Sequence, residues 1–269
     1  MGVCNVTPDS FSDGGSYLDP AAARARVDAL LAEGADLVDI GGESTRPGAA
    51  PVPAAEQLAR VLPVVEYAAS RAVVSIDTTS PEVALACLDR GATCVNDVSC
   101  MADAALAGVA AANGAALVIM HARRTQAEMR GFGGVPESTY DDVVRDVMTE
   151  WERARNRAIG AGVPAEAIVM DPGLGFFKTA RHSMQLLRRT DELVRAAGTH
   201  VLVGASNKSF LGVIDPDATP AQRTGASVMA AVHAARSGAS IVRVHDVRAT
   251  RQALDLDIVL HTRGHGDRT

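Results

Sequence analysis

The chain has 269 residues, 47% of them hydrophobic, and a net charge of −6, which fits one large α/β domain with a sizeable core. Its basic residues are dispersed and no apolar run approaches the roughly 18 residues of a membrane span, so we expect neither a nucleic-acid partner nor a membrane protein. Its four cysteines lack zinc-ligand spacing, and its first residues lack a secretory signal, which predicts a cytoplasmic protein with reduced thiols.

Eight short apolar runs alternate with segments of helical period along the chain. Each run has the length of a strand and little polar alternation, as in parallel strands that are covered on both faces. The predicted strands are residues 1–5, 36–41, 72–77, 92–97, 115–120, 166–171, 200–205 and 240–245. Eight successive βα units predict an α/β fold, a closed (β/α)8 TIM barrel in a single domain spanning 1–269. A doubly wound open sheet is the alternative.

The segments between the predicted strands carry helix start and stop signals. The pair Asp19-Pro20 begins the first helix, which Gly34 ends. Pro63 lies inside the second helix and is expected to kink or restart it. The longest helix is predicted over 138–160, and its inward side is formed by Val144, Met148, Trp151 and Ile159. The later helices are predicted over 181–197, 222–237 and 248–261.

Polar residues stand at or just beyond the carboxyl ends of the predicted strands, which in a barrel meet on the active face. These residues are Asn5, Glu43, Asp77, Asn96, Asp97, His121, Asp171, Ser206, Lys208, Arg243 and His245. Asp77 and Asn96 are not needed as helix caps, because Ser80 and Asp103 can cap the helices that follow. We therefore expect Asp77, Asn96 and Asp171 to point inward toward a ligand, although Asp171, which precedes a proline, could also start a turn.

Two carboxylates and an amide in an apolar surrounding suit a flat heterocycle with N–H donors and carbonyl acceptors. Lys208 can donate to a ring carbonyl or nitrogen, and Arg46, Arg243 and His245 suit phosphate or carboxylate groups. The sequence contains no P-loop, no G-x-S-x-G and no H-E-x-x-H motif. Residues 173–176, G-L-G-F, lack the third glycine of a dinucleotide-binding loop. The pattern favours a small-molecule enzyme site.

Seven motifs at the strand ends are similar to those of one known family. They are NVTPDSFSDGG (5–15), GGESTRPGA (41–49), SIDT (75–78), VNDVS (95–99), DPGLGFFKT (171–179), GASNKSF (204–210) and RVHDV (243–247). They lie at seven of the eight predicted strand ends, in order, and are spread across nearly the whole chain. Together they resemble dihydropteroate synthase, a pterin-binding family of folate biosynthesis with the (β/α)8 fold.

The resemblance implies a transferase in which 4-aminobenzoate displaces pyrophosphate from 6-hydroxymethyl-7,8-dihydropterin diphosphate. The product would be 7,8-dihydropteroate, formed by SN1-like loss of pyrophosphate. The resemblance also implies a homodimer that is a sulfonamide target, with small-molecule substrates and Mg²⁺ as the metal cofactor.

The resemblance assigns roles to residues that match the motifs. The residues implied to bind pterin are Asp77, Asn96, Asp171 and Lys208. Those implied to bind pyrophosphate are Asn5, which would also contact the Mg²⁺, with Thr45, Arg243 and His245. Those implied to bind aminobenzoate are Phe11, Arg46, Pro47, Phe176 and Ser209. The implied catalytic residues are Asp77, Asp171, Lys208, Arg243 and His245.

Two alternatives stay open at this point. The family usually has arginine where this chain has Asn207, so a divergent paralogue that binds pterin without synthase activity is one alternative. A methyltetrahydrofolate-dependent methyltransferase, which uses a similar barrel and similar acids, is the other. A methyltransferase would not need the long first loop at 5–15 or the cationic residues at 243–247, so both segments favour the synthase.

Overall fold

The computed structural model describes residues 1–7, 20–44, 49–124, 128 and 135–261. Its strands are β1 (Gly2–Asn5), β2 (Leu37–Gly41), β3 (Val73–Asp77), β4 (Cys94–Asp97), β5 (Ala116–Met120), β6 (Ile168–Asp171), β7 (Leu202–Val203) and β8 (Ile241–Val242). The α-helices of the described part are α1 (Pro20–Ala32), α2 (Ala54–Ala69), α3 (Pro81–Leu88), α4 (Ala104–Ala112), α5 (Val143–Gly160), α6 (Ala180–Arg188), α7 (Thr190–Ala197), α8 (Thr224–Arg236) and α9 (Val247–His261). None of these described helices is both long and apolar enough to span a membrane.

The strands close into a parallel barrel. Strands β1 to β6 pair in chain order, and β7 pairs with β8. Parallel bridges from Met170 to Val201 and from Gly2 to Val244 join the two sheets at both seams. A backbone hydrogen bond from Val3 N to Val244 O, 3.0 Å long, reinforces one seam. The predicted (β/α)8 barrel is confirmed, and the open-sheet alternative is wrong.

The strands place two apolar clusters on opposite faces. A large cluster includes Val38 and Ile40 of β2 and continues into the helices, whereas a small cluster centred on Val118, Val169 and Leu202 fills the barrel interior. Side chains alternate between the two faces along a strand. A polar residue two positions after an interior residue, such as Asp171 after Val169, therefore also points into the barrel. The interior is therefore apolar toward the amino ends of the strands and polar toward their carboxyl ends.

The helices differ from the predictions in three places. The predicted helix 181–197 is two helices, because Arg189 leaves helical geometry between α6 and α7. The second helix runs without a break through Pro63, so the predicted restart is wrong. Ile159 is 38% exposed, and its predicted inward position is also wrong. Ala158, seven residues after Trp151 and hence on the same side of the helix, takes the buried place.

Candidate active site

The predicted acids and amide lie together at the carboxyl ends of the interior strands. Asp77 ends β3 and is paired in register with Asn96 of β4, while Asp171 ends β6. All three residues are buried. Ser80 caps α3 and Asp103 caps α4. This confirms the prediction that Asp77 and Asn96 are not needed as helix caps.

Two cations lie beside these groups. The Arg243 Nη2 donates to Asp77 Oδ2 at 2.9 Å, and the Lys208 ammonium attracts the carboxylates of Asp171 and Asp77. Side-chain atoms of both cations lie within 4.0 Å of where a Cβ on Gly204 would stand. Both cations therefore lie next to the backbone at Gly204. The structure therefore gathers five of the predicted residues in one place.

The sequence reasoning missed a sixth member, Asp39. This carboxylate lies in the middle of β2 and is fully buried. Its Oδ2 accepts from Arg243 Nε at 2.7 Å and from Asn96 Nδ2 at 3.0 Å. The sequence signal for Asp39 was a charged residue inside the otherwise apolar strand LVDIG. Asp39 is two positions before Gly41, so both face the barrel interior. We call Asp39, Asp77, Asn96, Asp171, Lys208 and Arg243 the acidic cup.

The acidic cup presents buried acceptors without partners in the described part of the chain. These atoms are Asp39 Oδ1, Asp77 Oδ1 and Asn96 Oδ1. The Asn96 amide is oriented by Asp39, because its NH₂ group donates to that carboxylate and leaves the amide oxygen for another donor. Each buried unsatisfied group costs about 1–3 kcal/mol. A ligand that offers N–H donors would recover that cost.

The loop after β6 holds Asp171 and Lys208 in place. Gly173 N donates to Asp171 Oδ1 at 2.7 Å, and Lys208 Nζ donates to Leu174 O at 2.6 Å. Gly173 has φ +64°, and a Cβ there would collide with the carbonyl oxygen of His121. Only glycine allows the loop to approach β5 this closely. The placement of both charged groups therefore depends on the path of this loop.

Burial disfavours the charged forms within the acidic cup. Burial and the neighbouring Asp39 carboxylate raise the pKa of Asp77 above its ordinary value, although Arg243 opposes the shift. Burial also raises the pKa of Asp171, against the attraction of Lys208. Burial lowers the pKa of Lys208 to about 8. Ligand binding is therefore expected to change the protonation of these groups.

The remaining predicted residues surround the cup at different distances from it. Asn5 ends β1, and its Oδ1 lies 3.7 Å from the position of a Cβ on Gly41. The ring of Phe176 lies under Lys208, with Nζ 4.7 Å from the ring centroid. Ser209 begins a short 3-10 helix over Ser209–Val213 and is exposed.

His245 and Arg243 carry the predicted pyrophosphate contacts. The His245 imidazole Nδ1 lies 3.0 Å from Ser206 Oγ, which fixes the ring at the rim of the barrel. The Arg243 guanidinium is engaged by two carboxylates, so its role toward pyrophosphate stays a prediction. The other predicted contacts lie outside the described residues: Phe11, Thr45, Arg46 and Pro47.

Asn207, the position singled out as a departure from the motif, lies in a turn. Its φ is 59°, in the left-handed region that asparagine enters more readily than most residues. Its N–H donates to Ser227 Oγ at 3.0 Å. The position therefore serves the turn that carries Lys208 to the cup.

Comparisons with known proteins give a consistent result. The family described as pterin binding enzyme matches residues 1–245. A curated dihydropteroate synthase from Mycobacterium leprae is 47% identical over 265 residues, which covers 94% of this chain and 90% of that protein.

Solved structures agree with this similarity. Xanthomonas albilineans dihydropteroate synthase with 4-aminobenzoic acid matches with a TM-score of 0.89 and 40% identity, covering 98% of this chain and 93% of that chain. The same organism's enzyme in complex with 7,8-dihydropteroate matches with a TM-score of 0.85 and 37% identity, again covering 98% of this chain and 93% of that one.

Proposed function

The chain belongs to the family of pterin binding enzymes, as a dihydropteroate synthase, and from this premise we propose how its residues carry out the reaction. It condenses 6-hydroxymethyl-7,8-dihydropterin diphosphate with 4-aminobenzoate, giving 7,8-dihydropteroate and pyrophosphate. The observation that carries the residue roles is the acidic cup, in which buried acceptors from separate strands converge beside two cations.

The acidic cup binds the pterin ring. Asp77 Oδ1 and Asn96 Oδ1 accept N–H donors of the heterocycle, since both oxygens are buried and otherwise unsatisfied within the described part. Asp171 accepts from the amino-pyrimidinone edge, and Lys208 donates to a ring acceptor. A ring that lacked these donors would leave the oxygens desolvated and unpaired, so the cup discriminates strongly against it.

The chemical step separates charge across the cup. The C–O bond to the diphosphate breaks first, and its electron pair leaves with pyrophosphate. The positive charge left on the pterin methylene is stabilised by the Asp77 and Asp171 carboxylates. The amine of 4-aminobenzoate, neutral at pH 7, then forms the C–N bond and releases a proton. His245 and Arg243 stabilise the negative charge on the departing group.

The family implies Mg²⁺ beside the pyrophosphate. The ion takes oxygen ligands and usually has only one or two from the protein, with substrate phosphates and water completing its shell. The amide oxygen of Asn5 at the end of β1 fits that donor set. When bound, Mg²⁺ would neutralise charge on the leaving pyrophosphate. The described residues include no group of three or more His, Cys, Asp or Glu side chains placed to hold a metal.

The aminobenzoate site lies beside the cup. Phe176 and Ser209 would form its described wall, and the other contributors would be Phe11, Arg46 and Pro47. The ring of Phe176 under Lys208 supports this placement, because it offers an apolar face next to the pterin site.

A single domain over 1–269, a cytoplasmic location and a homodimer complete the proposal. Exposed apolar side chains on α8 and α9 offer surface for an interface between two copies. They are Met229, Leu256, Ile258, Val259 and Leu260.

The proposal is tested by pyrophosphate release in a coupled assay, with and without 4-aminobenzoate, together with detection of 7,8-dihydropteroate. We expect aminobenzoate-dependent product and pyrophosphate in equal amounts. Asp171→Asn keeps the size of the side chain and removes its charge. This variant should form 7,8-dihydropteroate much more slowly than the wild type. Binding of the pterin diphosphate without any product would instead identify a pterin-binding paralogue.

A further inference from the structure

A buried lysine lies behind the loop that follows β6, outside the residues assigned above. Lys178 is 1% exposed, and three acceptors from the described part of the chain surround its ammonium. Its Nζ lies 2.9 Å from His121 Nδ1, 3.1 Å from Phe176 O and 3.4 Å from His121 O. An ammonium carries three N–H donors, so the site is matched to the protonated side chain.

His121 connects this lysine to a carboxylate on α5. Its Nε2 lies 2.9 Å from Glu150 Oε2, and Arg123 Nη2 donates to Glu150 Oε1 at 2.6 Å. Burial and the charge of Lys178 lower the pKa of His121 to about 4. Burial tends to raise the pKa of Glu150, but hydrogen bonds from His121 and Arg123 hold it near 2. His121 is therefore neutral, donating from Nε2 to Glu150 and accepting from Lys178 at Nδ1.

The loop that Lys178 holds is the one that positions two members of the acidic cup. Gly173 N donates to Asp171 Oδ1, and Leu174 O accepts from Lys208. By donating to the carbonyls of Phe176 and His121, Lys178 joins the far side of this loop to the end of β5. The described contacts therefore run without interruption from Glu150 to Asp171 and Lys208.

We propose that Lys178 is a positioning residue, which through its bonds to His121 and to the loop at 173–177 sets the Asp171 carboxylate and the Lys208 ammonium against the pterin. Glu150 acts through His121, because its carboxylate fixes the imidazole tautomer that accepts from Lys178. This inference rests on the proposed pterin-binding function.

The protonation of Lys178 sets how firmly the loop is held. Burial lowers its pKa to about 7, although Asp171 attracts the charge. A neutral amine has only two N–H donors, so one of the three acceptors loses its partner above that pH. The ionisable side chains that face or influence Lys178 in the described structure are Cys100, His121, Tyr140, Glu150, Asp171, His182 and Lys208.

The test is calorimetric binding of 6-hydroxymethyl-7,8-dihydropterin diphosphate at about pH 6 and about pH 9, for wild type and Lys178→Met. We expect the variant to bind about 2- to 30-fold more weakly at the lower pH, the range for mutations that act through coupled contacts. The difference in affinity between wild type and variant should be smaller at the higher pH, where wild-type Lys178 is neutral. Lys208 also titrates between these two pH values and interacts with the charge of Lys178, so the wild type and the variant are compared at each pH separately.

A second variant separates positioning from general stability, and it remains informative if Lys178→Met does not fold. Glu150→Gln keeps an acceptor for His121 but removes the charge that favours protonated Lys178. The pH at which pterin affinity declines should therefore move downward. A contact that is only structural would not shift this profile.

The matched control is Trp151→Phe. Trp151 follows Glu150 on α5, and its indole donates to Ile119 O at 3.1 Å in the core. Removing that bond should lower the melting temperature and leave pterin affinity unchanged. Equal affinity of wild type and Lys178→Met at both pH values, an unmoved profile in Glu150→Gln, or equal weakening by Trp151→Phe would overturn the inference. Absence of binding by the wild type would overturn the proposed function instead.

Discussion

Replacement of Asp39 perturbs the point at which Arg243 and Asn96 meet. One oxygen of this buried carboxylate accepts from both side chains, at 2.7 and 3.0 Å. In Asp39→Asn both hydrogen bonds lose their charged acceptor, and the difference between a charged and a neutral acceptor is about 1–1.5 kcal/mol per bond. The expected destabilisation is therefore about 2–3 kcal/mol. In Asp39→Leu the buried pair is broken, which costs about 3–5 kcal/mol.

Thermal denaturation measures this effect. At about 2–4 °C per kcal/mol for a chain of this size, Asp39→Asn should melt roughly 4–12 °C below the wild type. Ser75→Ala is the matched control, because Ser75 is paired in register with Asp39 and its buried hydroxyl has no partner among the described residues. That variant should melt close to the wild type.

Pterin affinity gives the second readout for Asp39. The asparagine oxygen can still accept from Asn96, so Asp39→Asn keeps the Asn96 amide oxygen directed toward the ligand. In Asp39→Leu the amide is free to turn, and loss of one buried hydrogen bond, about 1–3 kcal/mol, corresponds to roughly 5- to 150-fold weaker binding. A leucine variant that bound pterin diphosphate as tightly as the wild type would refute the orienting role of Asp39.

Three further outcomes are expected. Asp171→Ala and Lys208→Ala should abolish pterin diphosphate binding in calorimetry, and unchanged affinity would contradict the assigned roles. Because the folded protein holds the Asp77 proton above pH 3.8 while the unfolded chain releases it there, this group makes stability fall as pH rises through the interval between the two pKa values. In Asp77→Asn, urea titrations should show a flatter pH dependence, and an unaltered slope would count against the raised pKa. Sulfonamides should compete with 4-aminobenzoate in steady-state kinetics, whereas competition with the pterin alone would argue against the proposed aminobenzoate site.

The strands could be predicted from the sequence because each one is encoded by its own short run of apolar residues. Runs of valine and isoleucine form strands that are covered on both faces, and the polar residues that end them must share the carboxyl edge. Asp77, Asn96 and Asp171 were found in this way. Their convergence follows from topology alone and needed no knowledge of side-chain contacts.

The pairings inside the site could not be predicted in the same way. Arg243 and Asp39 are separated by 204 positions in the chain, and nothing in either local sequence identifies the other. The sequence marks Asn96 as polar but not which end of its amide is free, since that depends on the Asp39 contact. Lys178 follows two phenylalanines in a loop and reads as a surface lysine, and only the fold shows that it is buried.

The shifted pKa values in the acidic cup agree with the charge separation of the reaction. A buried carboxylate such as Asp77 is costly to ionise while its cation partner, Arg243, is shared with Asp39. When positive charge develops on the pterin methylene, the attraction of a carboxylate at about 4 Å is worth about 4 kcal/mol at an effective dielectric constant of 20. That energy corresponds to about a thousandfold in rate. The burial that disfavours the Asp77 anion in the free enzyme therefore strengthens its attraction to the positive charge in the transition state. That is where the enzyme needs the interaction.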